Sequence, residues 1–175
     1  MEQFDLLDRN RMPTGELMDR GTPEPDNRYR QTIHVAIFNS KGQMLIQQRK
    51  STKRVWPNMW DISVGGCVSA GEYSYQSAER ELSEELGIQV DLSNVRPSLT
   101  SNFARGFDDH FILNMDIDIK DLKLQETEVQ DAKWASLDEI LKLIEEEKFV
   151  KYFEGFIRLL FEMQNKHYGV IRDFD

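Results

Sequence analysis

The segment from Gly66 to Ile88 constrains the fold of this chain more than any other part of the sequence. Ser74 can cap a helix over residues 75–86, because its hydroxyl can accept a hydrogen bond from an otherwise unpaired amide. Gly87 supplies a left-handed stop, and Ile88 supplies the apolar contact that follows such a stop. The segment therefore predicts a glycine-bearing loop followed by a helix whose start and end are both defined.

Three glutamates of this helix share one face. At about 100° per residue, Glu81 and Glu85 lie about 40° apart, and Glu84 lies on the adjoining ridge. Like charges at these spacings cost a few tenths of a kcal/mol per pair, and a hard divalent cation reverses that cost. Oxygen-only ligation favours Mg²⁺ or Mn²⁺. The alternative is a solvated acidic face, which an isolated E-x-x-E-E motif usually indicates.

Strand patterns precede and follow this helix. Ser136 opens a later helix to about Glu146 through a capping box. A last helix, over 147–167, carries an apolar stripe that faces the core or a second copy of the chain in a homodimer. Strands on both sides of a central helix, followed by two closing helices, favour an α+β fold, a mixed α/β/α sandwich, over a regular βαβ series. The predicted strands are 3–8, 15–19, 31–38, 43–48, 61–64, a short one at Val90, 98–104, 110–117 and 129–135. The stripe consists of Phe149, Phe153, Phe156, Leu160 and Met163.

Length and charge narrow the function classes. The 175 residues predict a single domain with a lead-in over residues 1–28. The formal net charge of -9 disfavours nucleic acid and anionic membranes as partners. The start lacks the basic and apolar regions of a signal peptide, so we expect a cytoplasmic protein. One cysteine, Cys67, cannot form an internal disulfide, and the three scattered histidines have no zinc-site spacing.

The spacing of the glutamates extends to a longer motif. Residues 66–88 match all nine specified positions of G-x5-E-x7-R-E-U-x-E-E-x-G-U, where U is aliphatic. This pattern is the Nudix box, and the chain resembles the Nudix hydrolases. Segments 34–39, 45–49 and 56–61 are similar to the branch of that family closest to isopentenyl-diphosphate isomerase. The resemblance runs from about Phe4 to Ile140 and weakens after that.

The resemblance implies a Nudix fold, a mixed sheet between helices. It also implies Mg²⁺-dependent hydrolysis, with Mn²⁺ as a substitute, of a nucleoside diphosphate linked to another moiety X. Arg80 would hold a box glutamate in its rotamer, and Glu72 would support it. The Mg²⁺ or Mn²⁺ ions would neutralise phosphate oxygens and activate the attacking water. The implied metal ligands are Glu81, Glu84, Glu85 and the carbonyl of Gly66.

The general base is not fixed by the motif. Glu126 and Glu128 both lie in a loop that resembles the segment often supplying this carboxylate, and Glu128 is the preferred candidate. Asp108 and Asp109 form a weaker pair, since a hairpin turn explains adjacent aspartates without catalysis. The structural alternative for the two glutamates is a pair of solvated loop acids.

The loop before the motif is basic. Arg49, Lys53 and Arg54, with Lys50, are candidates for binding the distal phosphate of the substrate, although solvated loop charges explain many such runs. Trp56 is a candidate for stacking on a base. Trp60, Trp134, His34 and His110 are interpreted as structural residues, and nothing assigns a role to His167.

Two other functions compete with hydrolysis. An isomerase of allylic diphosphates needs a protonating cysteine and a histidine-rich metal site. This chain has Gly65 where that family's cysteine falls and Cys67 where one of its histidines falls, while the hydrolase motif is intact. The third function is a ligand-sensing Nudix module without turnover, which we expect to carry a DNA-binding segment or a damaged motif. Neither feature is seen in the sequence.

Overall fold

The computed structural model describes residues 2–166, in which a mixed sheet lies between helices. A separate antiparallel hairpin, β1 with β2, precedes this sheet. The strands are β1 (Gln3–Leu7), β2 (Pro13–Asp19), β3 (Arg30–Phe38), β4 (Met44–Arg49), β5 (Trp60–Asp61), β6 (Val64–Cys67), β7 (Leu99–Phe103), β8 (Gly106–Asn114) and β9 (Val129–Ala135). The helices are α1 (Ser74–Leu86), α2 (Leu137–Glu145) and α3 (Glu154–Met163), with a 3₁₀ turn at Ile119–Asp121.

β3 is the centre of the seven-stranded sheet, whose order is β5-β4-β3-β8-β7. One edge of β3 pairs in parallel with β8 along its whole length. The other edge is divided, because β6 pairs with residues 32–35 whereas β4 pairs only at Phe38 opposite Met44. Buried Ser63 bridges β3 and β4: its Oγ accepts a hydrogen bond from the Ile37 amide (2.9 Å) and donates one to the Leu45 carbonyl (2.6 Å). β4 pairs instead with β9 and β5.

The two faces of the sheet bury different helices, as expected from the alternation of side chains along a strand. Ile33, Val35 and Ile37 of β3 pack in one cluster with Leu82 and Leu86 of α1. The opposite face packs in a second cluster against α2 and α3. The sandwich predicted from the sequence is confirmed. Of the helices in residues 2–166, none has the length and apolarity needed to span a bilayer.

The helix of the motif ends as predicted but begins differently. Gly87 adopts a left-handed conformation with φ of 71°, and the Ile88 amide donates to the Leu82 carbonyl. Ser74 was the predicted N-cap, and this prediction is wrong. Tyr73 is the N-cap, because the side chain of Gln76 accepts a hydrogen bond from the Tyr73 amide at 2.8 Å.

Three strand predictions are corrected. The strand over 61–64 is two strands, β5 and β6, separated by Ile62 and Ser63. Val90 lies in irregular chain, where it packs beside the α1 cluster instead of pairing. The β7–β8 turn consists of residues 104–105, so Asp108 and Asp109 lie inside a buried strand and not in the turn.

The last helix is shorter than predicted. Residues 147–153 are not helical, because the backbone of this segment bonds to Trp60: the Trp60 amide donates to Lys148 and the Val150 amide to Trp60. Leu160 and Met163 of the stripe are buried in the core, which favours the core-facing interpretation, whereas Phe153 is 89% exposed. His167 and the end of the predicted helix lie outside the described residues.

Candidate active site

A polar cavity of about 640 Å³ borders α1, β6 and β3. None of Glu81, Glu84 and Glu85 lines the other large cavity, of about 750 Å³, which borders Glu72 and Tyr73. The polar cavity therefore contains the chemistry that the motif predicts. The predicted site residues that line it are Arg49, Lys53, Gly66, Glu72, Arg80, Glu81, Glu84, Glu85 and Glu128.

The three motif glutamates differ in their environment. Glu84 is half exposed, Glu81 is partly buried and Glu85 is almost completely buried. Burial, together with the charges of Glu81 and Glu128, raises the pKa of Glu85 to about 8, although a 2.8 Å hydrogen bond from Gln47 opposes this rise. Burial also raises the pKa of Glu81. Without a cation, these carboxylates repel each other at the cavity wall.

Gly66 is placed where a side chain cannot fit. A Cβ at this position would lie 2.5 Å from Cδ of Glu81, so only glycine lets the backbone approach the carboxylate this closely. β6 and α1 thus bring a backbone segment and three carboxylates to one wall of the cavity. This donor set is made of oxygen and fits a hard divalent cation.

Arg80 fixes the carboxylates next to it. Its Nη1 donates to Glu81 at 2.8 Å, and its Nε donates to Glu72 at 3.2 Å. Glu72 also accepts from the hydroxyl of Ser77. Burial lowers the pKa of Arg80, but the bonds and charges of Glu72 and Glu81 outweigh it and raise that pKa overall. The guanidinium therefore stays charged and holds two side chains in one geometry.

Glu128 lies on the cavity wall, where it forms an ion pair with Lys53. The charge of Glu128 reaches Glu85, whose pKa it raises. Glu126 does not line the cavity. The loop between the 3₁₀ turn and β9 thus supplies one of its two glutamates to the site.

Comparison with known proteins agrees with this geometry. The model of the NUDIX domain matches residues 28–155. The chain belongs to the Nudix family. A Nudix hydrolase of Listeria monocytogenes is 44% identical over 165 residues, which cover 94% of this chain and 96% of that protein. An isopentenyl-diphosphate Delta-isomerase of Escherichia coli is 28% identical over 148 residues, covering 80% of each chain.

The fold is shared more widely than the sequence. The crystal structure of DR0079 from Deinococcus radiodurans has a TM-score of 0.74 at 23% identity, and the match covers 90% of this chain and 98% of that one. The name of the Listeria relative and the domain match identify this chain as a Nudix hydrolase.

The predicted substrate residues of this Nudix hydrolase divide into two groups. Arg49 and Lys53 line the cavity, and Arg49 contacts Asp61 at 3.3 Å. Arg54 does not line the cavity. Trp56 is also outside it, with its ring 5.8 Å from Nζ of Lys151. The structure therefore does not bring Arg54 and Trp56 to the Nudix box.

A buried network behind the cavity was missed by the sequence analysis. His34 lines the cavity, and its Nδ1 lies 2.8 Å from Oδ1 of Asp108. Burial alone would raise the pKa of Asp108, but the charge and hydrogen bond of His34 outweigh it and lower that pKa overall. Burial lowers the pKa of His110, which bonds to Ser101, to about 4. Ligand atoms of His34, Asp108 and His110 lie within 4.8 Å of one another; a hydrogen bond links His34 to Asp108, whereas His110 bonds to Ser101 outside this group.

The adjacent aspartates are held by structural contacts. Asp109 accepts bonds from Arg11, Thr100 and Gln31 and does not line the cavity of the Nudix box. Asp108 is engaged by His34.

Cys67 lines the cavity, but its thiol is not activated. Burial raises the pKa of this thiol, and the charges of Arg30 and Arg20 lower it less strongly. Both arginines line the cavity, but they lie well before the Nudix box and share no spacing with it, so no local pattern indicates them as site residues.

Proposed function

We propose that this protein hydrolyses the diphosphate linkage of a nucleoside diphosphate joined to another moiety, with Mg²⁺ or Mn²⁺ bound by Glu81, Glu84, Glu85 and the Gly66 carbonyl. One observation carries the proposal: Glu85 is buried beside other carboxylates on the wall of an open polar cavity. A buried carboxylate among like charges needs compensation by a cation.

The bound cation supplies charge neutralisation and an activated water. The residues of the chain do the rest. Arg80 keeps Glu81 and Glu72 in place, which limits reorganisation during the reaction. Arg49 and Lys53 bind phosphate oxygens, since both are cationic groups on the cavity wall.

Glu128 accepts the proton of the attacking water in this proposal. In the ligand-free structure its carboxylate is paired with Lys53. A phosphate that binds Lys53 competes for this ammonium and frees the carboxylate. The base therefore becomes available when substrate arrives, because one lysine serves both groups.

The isomerase alternative is disfavoured by Gly65, which has no thiol to protonate carbon. A Cβ there would lie 2.7 Å from Cδ2 of His34, so the imidazole takes the space that a side chain would need. A ligand-sensing module is the second alternative, and turnover of any substrate in the screen would exclude it.

The test is a substrate screen with Mg²⁺ present. Nucleotide sugars, dinucleotides, nucleoside diphosphates and coenzyme A are incubated with the protein, and products are identified by mass spectrometry. The proposal expects one class to yield a nucleoside monophosphate and a phosphorylated second product. Proton exchange into isopentenyl diphosphate in heavy water, with no hydrolysis of any member, would replace the proposal by the isomerase.

A further inference from the structure

Two arginines line the cavity without a role in the proposed reaction. Arg30 is the first residue of β3, and Arg20 follows β2. On β3, Arg30 and Thr32 share a face by alternation, and Thr32 pairs with Cys67 of β6. Arg30 therefore lies at the Cys67 end of the cavity, one residue beyond Gly66, and the charges of both Arg30 and Arg20 act on the Cys67 thiol.

The guanidinium of Arg30 has donors left over. Its Nη1 forms an ion pair with Glu24 at 3.1 Å, and its carbon lies 5.7 Å from the centre of the Phe103 ring. Its Nε is buried and has no hydrogen-bond partner. An unpaired buried N–H is unfavourable. This Nε is itself out of a ligand's reach, but the side chain as a whole is 33% exposed and can offer its terminal nitrogens to an acceptor oxygen.

Arg20 is held less firmly. Its Nη1 contacts Oε2 of Glu2 at 2.5 Å, and its side chain is 63% exposed. Ion pairs this exposed contribute little to stability, so a stronger anion displaces Glu2 at small cost. Glu2, which also lines the cavity, occupies a place at the Arg20 guanidinium that a ligand oxygen would take, whereas Glu24 does not line the cavity.

Two other cations of the cavity, Lys53 and Arg49, already have a part in the proposed function, where they bind the diphosphate. Lys53 pairs with Glu128 and Arg49 with Asp61, and both residues come from the β4 side of the cavity. The cavity thus has one pair of cations on the β4 side, Lys53 and Arg49, and a second pair at the Cys67 end, Arg30 and Arg20. The glutamates of the Nudix box also line the cavity. In the proposed function, the cleaved diphosphate uses only the cations on the β4 side.

We infer that the substrate carries a further phosphate group, separate from the diphosphate that is cleaved, and that Arg30 and Arg20 bind it. This inference rests on the proposed function and deepens it by naming the substrate class. Two guanidinium groups match the charge and the several acceptor oxygens of a phosphate monoester.

The test uses pairs of diphosphates that differ by one phosphate: coenzyme A with 3′-dephospho-coenzyme A, and NADPH with NADH. We expect kcat/KM to be at least about tenfold higher for the phosphorylated member of one pair. In Arg30→Gln and in Arg20→Gln, that ratio should fall towards one while the rate on the unphosphorylated member stays near wild type. Arg20 is exposed, so its variant keeps the test independent of folding.

Arg28→Gln is the matched control, because Arg28 pairs with Glu16 and does not line the cavity. It should keep the wild-type ratio. Hydrolysis of both pairs with ratios near one, or ratios that survive both arginine substitutions, would overturn the inference while leaving the proposed function intact.

If no member is hydrolysed, calorimetry compares adenosine 3′,5′-bisphosphate with adenosine monophosphate. We expect the bisphosphate to bind at least about tenfold more tightly to wild type and equally to Arg30→Gln. Equal affinities for wild type would overturn the inference by a measurement that does not depend on turnover.

Discussion

The burial of Glu85 predicts how the stability of the metal-free protein depends on pH. The pKa of this carboxyl is about 8 in the folded chain, against 4.5 for an exposed glutamate. The folded state therefore holds the proton more tightly than the unfolded state between these two values. It follows that the free energy of unfolding falls as the pH rises through this window.

The magnitude follows from the same interval. From pH 4.5 to about 8, at about 1.4 kcal/mol per pH unit, the loss is at most about 5 kcal/mol. Below pH 4.5 the contribution of this group is fully present, and above pH 8 it is fully lost. Burial also raises the pKa values of Asp61 and Glu81, which adds loss in the same direction.

Glu85→Gln isolates the effect. The amide keeps the shape of the side chain and an oxygen that can accept the bond from Gln47, but it does not ionise. In chelator, denaturant unfolding at pH 5, 6, 7 and 8 should show a steep fall for wild type and a much shallower one for the variant. At pH 8 the variant should be the more stable protein.

Glu84→Gln is the control, since the half-exposed Glu84 side chain stays hydrated in the folded state. It should keep the wild-type slope. Added Mg²⁺ should stabilise wild type most at high pH, because the ion replaces the proton, and should stabilise Glu85→Gln far less. Parallel slopes for wild type and Glu85→Gln would refute the reasoning.

Three further predictions concern turnover. Glu128→Gln should lower kcat more than it raises KM, as expected for a group acting on the attacking water; unchanged steady-state kinetics would move the role of base to another carboxylate. Gly66→Ala should lower kcat/KM at least about a hundredfold, because the new Cβ would displace Glu81, and a near-normal rate would contradict the close approach. Cys67→Ser should keep hydrolysis within about threefold, since burial keeps the thiol protonated, and a larger loss measured at saturating Mg²⁺ would give the thiol a function.

The sequence predicted the features that depend on nearby residues. The convergence of Glu81, Glu84 and Glu85 follows from helical spacing, and the end of α1 follows from Gly87. The match to the whole Nudix box also predicted that the Gly66 backbone lies close to this helix. These contacts span at most 23 residues, so local geometry determines them.

Features that depend on distant pairing were not predicted. The contact of His34 with Asp108 joins residues 74 positions apart and exists because β3 and β8 pair in parallel. Asp108 therefore looked like a turn residue when only its neighbours were considered. Arg20 reaches the cavity through the separate β1–β2 hairpin, and no local spacing indicates where that hairpin docks.

The most direct test of the account is the Mg²⁺-dependent rate of Glu84→Gln and Glu85→Gln, measured on whichever substrate the screen identifies. Each amide removes a charged ligand while nearly preserving shape. We predict that each variant loses about three decades in kcat/KM, which is about 4 kcal/mol of transition-state stabilisation. Retention of more than about a tenth of the wild-type rate in both variants would contradict the assignment of these carboxylates as the metal site.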